Sequence, residues 1–295
     1  MKLALNLLGF KGFSCLEEII NNRFNELLEI TVVIATDKSI TNDYSKEIKN
    51  LCETKKITSY NRAEIHNYRE YNYVFAIGWR WLIKGVVDSK LIIFHDSLLP
   101  KYRGFAPLVN AALNKEDKVG VTALFGAEEY DKGEIIAQRS LEVTYPIRVG
   151  ELIGQITSCY IDLTISVLTD LAAGVELIGK KQNENDASYS VWLDSEDYFL
   201  DWREGDSDYI ANKINLLGAP YQPAKSFMNG EIVKIHTAEV YSDLAIEQRH
   251  IGKVLIIEDG CPVVICANGL IKITNMSDEN DKSLIPFKLF RVRFK

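Results

Sequence analysis

The chain has 295 residues and a formal net charge of −7, with 47% hydrophobic and 25% charged residues, so it has room for one or two domains with real cores. No run of about 18 uncharged apolar residues occurs, which argues against a membrane span, and the opening MKLALNLLGFKG reads as a strand rather than a signal peptide. Five scattered cysteines (Cys15, Cys52, Cys159, Cys261, Cys266) without a C-x-x-C pair argue for reduced core thiols and against structural zinc, and the acidic balance favours a small ligand over an RNA backbone.

Leu3 to Leu8 reads as a first strand. Ser14, with Glu17 three residues later, makes a capping box for a helix running to Asn21. Ile30 to Ala35 is near-continuously β-branched and predicts a strand buried on both faces. Thr41 to Glu53 reads as a helix, and Tyr73–Ile77, Leu91–Phe94 and Val121–Leu124 as further short buried strands. This rhythm predicts an α/β fold, a mostly parallel Rossmann-like sheet with helices on both faces. No G-x-G-x-x-G follows the first strand, so Gly9 and Gly12 read as turn punctuation.

From Val149 to Ala173, Leu152, Ile156, Tyr160, Leu163 and Leu171 fall near helical spacing, and Gly174 is a natural stop. The polar stretch KKQNENDASYS, Lys180 to Ser190, reads as a linker. After a helical Tyr209–Leu217 come EIVKIHTAEV, GKVLIIEDG, CPVVICANG and LIKITNM, separated by Gly, Asn and Asp turns. These predict a small, barrel-like C-terminal β domain. The expected division is residues 1–205, including the connecting helix and linker, and residues 206–295.

The chemistry concentrates in LIIFHDSLLPKYRGFAP, Leu91 to Pro107, and GVTALFGAEEYDKGEII, Gly120 to Ile136. A buried strand ends in His95, a residue type suited to taking up and giving back a proton, and ligands of open parallel sheets bind beyond the carboxyl ends of strands. A second strand runs into the acidic loop Glu128-Glu129-Tyr130-Asp131. If the two strands are neighbours, a carboxylate comes within reach of the imidazole. Singly, each of these residues also has a structural reading, as a strand-end histidine or a turn aspartate.

Together they resemble the folate-dependent formyltransferase family, which includes glycinamide ribonucleotide, methionyl-tRNA and nucleotide-amino-sugar formyltransferases. The family pattern N-x-H-x-S-L-L-P, R-G, P, G-V-T, D-x-G is met in order by His95, Ser97-Leu98-Leu99-Pro100, Arg103-Gly104, Pro107, Gly120-Val121-Thr122 and Asp131-Lys132-Gly133. The resemblance implies that His95 and Asp131 are catalytic. It implies a pterin pocket at Trp81, Leu82 and Ile83 and at Ala127, Glu128, Glu129, Tyr130 and Asp131. N10-formyltetrahydrofolate is then the co-substrate, with no metal.

Two positions depart from the family. Ile93 stands where relatives have an oxyanion-binding Asn, and Asp96 where they commonly have Pro or Gly. Loss of one oxyanion donor typically costs about 10²–10³ in rate.

Among acceptors, the C-terminal β domain argues against the purine-pathway branch. The tRNA branch of the family carries an added basic loop near the first domain's active site, and the spacing from Asp131 to Glu142 leaves little room for one. The expected acceptor is therefore the amine of a nucleotide-linked amino sugar destined for a surface glycan such as lipopolysaccharide. Ser97, Lys101, Tyr102 and Arg103 are candidates to contact it. Trp192, Tyr198 and Trp202 read either as nucleobase stackers or as core aromatics. A cytoplasmic enzyme with small-molecule substrates is expected, with no nucleic-acid or membrane partner, and a homodimer is left open. The alternatives are a methionyl-tRNA formyltransferase-like enzyme and a non-catalytic folate or nucleotide-sugar binding protein.

Overall fold

The first apolar run forms β1 (Lys2–Leu7), with Leu3, Leu5 and Leu7 fully buried, in a computed structural model that describes residues 1–64 and 67–295. There follow α1 (Gly9–Asn21), α2 (Phe24–Leu27), β2 (Glu29–Ile34), α3 (Ser45–Lys55), β3 (Thr58–Asn61), β4 (Tyr73–Ile77), β5 (Leu91–His95), β6 (Arg103–Gly104) and α4 (Pro107–Leu113). Then come β7 (Lys118–Phe125), β8 (Ile135–Glu142), α5 (Val149–Ala172), β9 (Tyr189–Ser190), α6 (Ser207–Leu216) and five C-terminal strands. Packing separates two units. One comprises Met1–Ala111, Glu116–Val143 and Glu151–Trp192, and the other Ala112–Lys115, Thr144–Gly150 and Leu193–Lys295.

In the first unit a seven-stranded sheet has the order β3-β2-β1-β4-β5-β7-β8. Its first five strands are parallel, while β7 pairs antiparallel with both β5 and β8. β2 carries one exposed residue and five buried ones, as a β-branched run covered on both faces should. α1 and α5 share one side of the sheet, where Thr164 of α5 meets Cys15 of α1 and Tyr160 packs on Phe94. On the other side, Ala4, Val74 and Leu91 are covered by Tyr68, Tyr71, Ile83 and Val86 from the connections around β4.

Two helix starts differ from the expected ones. α1 begins at Gly9, not at a Ser14 capping box, and Ser14 lies buried within it. α3 begins at Ser45 rather than Thr41, because Asn42 and Asp43 take the backbone N–H groups of Tyr44 and Ser45 at 3.0 Å each, an Asx-type entry. The expectation of no membrane-span candidate also needs a qualification. By length and composition alone α5 is long and apolar enough to cross a membrane, but half of its most apolar stretch is buried in the protein. Its buried positions Leu152, Ile156, Cys159, Tyr160, Leu163 and Val167 recur at helical spacing, the pattern of a core helix.

In the second unit, β10 (Ala224–Met228), β11 (Glu231–Tyr241), β12 (Val254–Glu258), β13 (Cys261–Ile265) and β14 (Leu270–Asp278) form an antiparallel sheet of order β10-β11-β14-β13-β12. The last residues join its two edges. Phe227 and Lys295 exchange backbone hydrogen bonds of 3.0 and 2.9 Å, while Val254 donates to Val292 at 3.1 Å and Phe294 to Gly252 at 2.7 Å. This closure gives the sheet its barrel-like character and covers part of each edge. Trp202 is buried here, with its Nε1 donating to Ser226 at 2.9 Å and its ring on Phe294, and Tyr198 is buried too. Trp192 is exposed. All five cysteines are buried free thiols.

Candidate active site

His95 is the last residue of β5 and is 8% exposed. Its strand neighbour is β7, but the register runs antiparallel: Thr122 lies beside His95, and Phe125, the end of β7, lies beside Ile92. β7 therefore ends roughly 10 Å down the sheet from His95, three residues at the rise of a strand. The expected meeting of carboxylate and imidazole occurs because residues 126–134 double back. Gly133 makes the reversal possible, since a Cβ there would lie 1.8 Å from the Phe125 carbonyl oxygen. Asp131 sits on the returning arm with φ +55°, and its Oδ1 comes 3.5 Å from His95 Nδ1.

Both partners are held by backbone. His95 Nε2 is 2.8 Å from the carbonyl oxygen of Tyr102. That oxygen can only accept, so the hydrogen is assigned to Nε2, and Nδ1 is the nitrogen facing the carboxylate. The second carboxylate oxygen of Asp131 accepts from the Gly104 N–H at 2.8 Å. Below them, Thr122 donates to the Ser97 carbonyl at 2.7 Å and accepts from the Leu99 N–H at 3.1 Å. Gln138 donates to Leu99 O and Thr122 Oγ1 at 3.0 and 2.8 Å. The Ser97 hydroxyl closes the turn on Lys101 O at 2.7 Å. Ser97 is thus a buried member of the turn.

The three other candidate substrate contacts have carboxylates beside them. Lys101 is exposed, 3.8 Å from Glu116, and the Tyr102 hydroxyl donates to the same carboxylate at 2.8 Å. Arg103 is fully buried. Its guanidinium forks onto Glu184 at 2.9 and 2.8 Å and onto Gln182 Oε1 at 3.1 and 2.8 Å, and the Glu184 hydrogen bond raises its already high pKa further.

Residues 180–190 are therefore not a free linker. β9 pairs parallel with β6, Ser188 takes the N–H groups of Tyr102 and Arg103 at 2.9 and 2.8 Å, and Lys180 exchanges backbone bonds with Ile135 at 2.8 Å. The stretch is polar because its side chains hydrogen-bond inward, a cause that composition alone cannot separate from solvation.

Asp96 points to α1 and α5. Its carboxylate accepts from Lys11 Nζ at 2.5 Å and from the Tyr160 hydroxyl at 2.6 Å. Burial pushes its pKa up, but the Lys11 ammonium and the two hydrogen bonds outweigh that and leave it below the ordinary carboxylate range. Asp96 is an anchor under β5.

Ile93, half-buried, packs with Ile83, Val86 and Tyr68 on the cluster of Ala4, Tyr71, Val74 and Leu91. The loop of Trp81, Leu82 and Ile83 leaves β4 at the same end of the sheet as His95, because Ile77 pairs in parallel with Phe94. Trp81 stands edge-on to Trp79 at 5.4 Å and under the Arg62 guanidinium at 4.6 Å, and Leu82 is exposed. Ala127, Glu128, Glu129 and Tyr130 are exposed on the returning loop, with Tyr130 against Phe105 at 6.2 Å. Trp79 Nε1 is buried without a hydrogen-bond partner, a costly arrangement unless an acceptor arrives. Trp81, Leu82 and Tyr130 offer apolar and aromatic surface of the kind on which a planar ring such as a pterin lies. Among the described residues, no group of three or more His, Cys, Asp or Glu is placed to hold a metal ion.

Residues 4–158 match the formyl transferase family and residues 193–291 its C-terminal domain. The chain belongs to the formyl transferase family. It is 28% identical to a methionyl-tRNA formyltransferase of Natranaerobius thermophilus over 196 residues, 66% of this chain and 62% of that one. It thus spans about three fifths of that relative's length. An N-formyltransferase from Helicobacter canadensis, solved with folinic acid and dTDP-3-aminofucose, shares its fold at a TM-score of 0.68 and 19% identity, over 92% of this chain and 98% of that one. WlaRD, a sugar 3N-formyl transferase solved with dTDP and 5-N-formyl-THF, does so at 0.66 and 20% identity, over 98% and 99%.

Proposed function

We propose that this formyl transferase moves a formyl group from N10-formyltetrahydrofolate to the amine of a nucleotide-linked amino sugar. The observation that carries the reading is the placing of His95 Nδ1 3.5 Å from the Asp131 carboxylate at the mouth of the sheet. The folate, which the loops of Trp81–Ile83 and Ala127–Asp131 would hold, would supply the formyl group and leave as tetrahydrofolate, its N10 taking up the proton that the amine gives up as the new amide bond forms. With Nε2–H committed to Tyr102 O, His95 has Nδ1 to receive the proton that the attacking amine must lose. Asp131 stabilises the resulting positive charge by its own negative one. His95 and Asp131 share a low-exposure pocket, so this stabilisation is weakly screened.

The amino-sugar acceptor is supported by two observations. The sugar N-formyltransferases named above match this chain over nearly their whole lengths. The cations on the loops beside His95, Lys101, Arg103 and Lys132, are each next to a carboxylate, Glu116, Glu184 and Glu129. Such a surface offers little to neutralise an RNA backbone. The methionyl-tRNA reading is favoured by the relative at 28% identity. Incubation with N10-formyltetrahydrofolate and a panel of dTDP-3-amino and dTDP-4-amino sugars, against methionyl-tRNA, separates the two. Formylation of methionyl-tRNA alone would overturn the amino-sugar reading.

A further inference from the structure

Gln182 is bonded to both halves of the candidate site at once. Its amide nitrogen donates to the carbonyl oxygens of Asp131 and Gly133 at 2.7 and 2.8 Å. Its Oε1 accepts from Arg103 Nε and Nη2 at 3.1 and 2.8 Å. Both N–H groups and both lone pairs of the amide are thereby used. One carbonyl belongs to the residue whose carboxylate faces His95, and the other to the glycine at the reversal. Arg103, in turn, lies between Tyr102, which accepts from His95, and Gly104, which donates to Asp131.

The returning loop needs such a holder. Asp131 is a non-glycine residue in the left-handed region, a conformation that persists when the surroundings over-determine it. The Gly104 N–H fixes one carboxylate oxygen, but the main chain of residues 131–133 is tied down through Gln182. Arg103 fixes Gln182 and is itself fixed by Glu184.

We propose that Gln182 is a positioning residue for formyl transfer: it sets where the Asp131 carboxylate stands relative to His95 Nδ1 without touching the reacting groups. The proposal rests on the reading of His95 and Asp131 as the reacting pair.

Gln182→Glu separates the two functions of the amide. It keeps oxygen acceptors for Arg103 and removes the donors to Asp131 and Gly133. Gln182→Met removes both. Glu184→Ala loosens Arg103 but leaves the Gln182 amide in place. The full chain is assayed for kcat and for KM toward N10-formyltetrahydrofolate with whichever panel acceptor it formylates. In parallel, the ring 15N shifts of His95 are read in histidine-labelled protein without substrate.

Gln182→Glu and Gln182→Met are expected to lower kcat by about 10- to 100-fold, the scale of an ångström-sized misplacement, with KM changed less than about twofold and the His95 shifts moved. Glu184→Ala, which reaches the loop only through Arg103 and Gln182, is expected to lower kcat in the same direction but less, by about three- to tenfold. Wild-type kcat and unmoved His95 shifts in both Gln182 variants, alongside an inactive Asp131→Asn, would overturn the inference and leave the proposed function standing. An active Asp131→Asn would overturn the reacting pair itself, and the His95 shifts would then still report whether Gln182 positions the loop.

Discussion

The Tyr102 carbonyl oxygen lies 2.8 Å from His95 Nε2, and Tyr102 presents it from a left-handed backbone with φ +59°. A carbonyl in this place decides which imidazole nitrogen carries hydrogen and which is left for chemistry. The turn that holds it is built by Ser97, Thr122 and Gln138 beneath and by Ser188 above.

Gly104 tests that turn. Its φ is +100°, and a Cβ would come 2.6 Å from the Ser190 carbonyl oxygen on β9, while its N–H holds Asp131. Gly104→Ala is expected to destabilise the protein by about 1–3 kcal/mol through backbone strain. It should also cut turnover at least about tenfold through the displaced carboxylate. Thermal melts and steady-state rates check both, and a variant with unchanged melting and turnover would show that the close approach is not real.

The Lys11–Asp96–Tyr160 cluster tests the floor. Lys11 and Asp96 side chains are 12% and 22% exposed, and Asp96→Asn leaves a mostly buried ammonium without its partner. The expected cost is about 3 kcal/mol at pH 7. Because the native carboxyl lies below its ordinary value, its contribution is fully present above about pH 3.9, the unfolded value. It is lost as pH falls through the native pKa. Wild-type stability should therefore drop below about pH 4 more steeply than that of Asp96→Asn. Urea titrations from pH 7 to 3 check this, and parallel acid limbs would refute it.

Ile93 tests the missing donor. Its side chain is part of an apolar patch, so Ile93→Asn would place an amide without partners there, at about 1–3 kcal/mol. Turnover is expected to rise modestly or not at all. Ile93→Ala should lower stability by about 2 kcal/mol, the low end for a large-to-small change because the site is half-buried, with turnover per folded molecule largely kept. A 100-fold rise in turnover for Ile93→Asn at unchanged stability would mean that the natural site is a degenerate one, and the binding-protein reading would lead.

How much of this was legible in the sequence depended on the range of the interactions. β2, β4 and β5 announce themselves because their apolar runs are local. His95 at a strand end and Asp131 before a Lys-Gly turn stand out in the same way. The polar edge strand β3 and the half-exposed β8 carry no such run. The antiparallel register of β7 has no local signature, so neither does the long return of Asp131. Gln182 and Glu184 were hidden most completely. Their partner Arg103 lies 79 and 81 residues away, and a polar stretch satisfied by distant groups has the composition of a linker. Tyr160, a lone hydroxyl in an apolar helical stripe, was the one hint of Asp96's partner, since buried tyrosines usually find one.

The central claim, formyl transfer by a coupled His95–Asp131 pair, is tested most directly by single-turnover transfer from N10-formyltetrahydrofolate in His95→Asn, Asp131→Asn and the double variant. Each single change is predicted to lower the rate by about 10²-fold or more. The double variant should be little worse than the worse single one, because groups that act as a unit are not additive. A wild-type rate in either single variant, or losses that simply multiply in the double, would contradict the account.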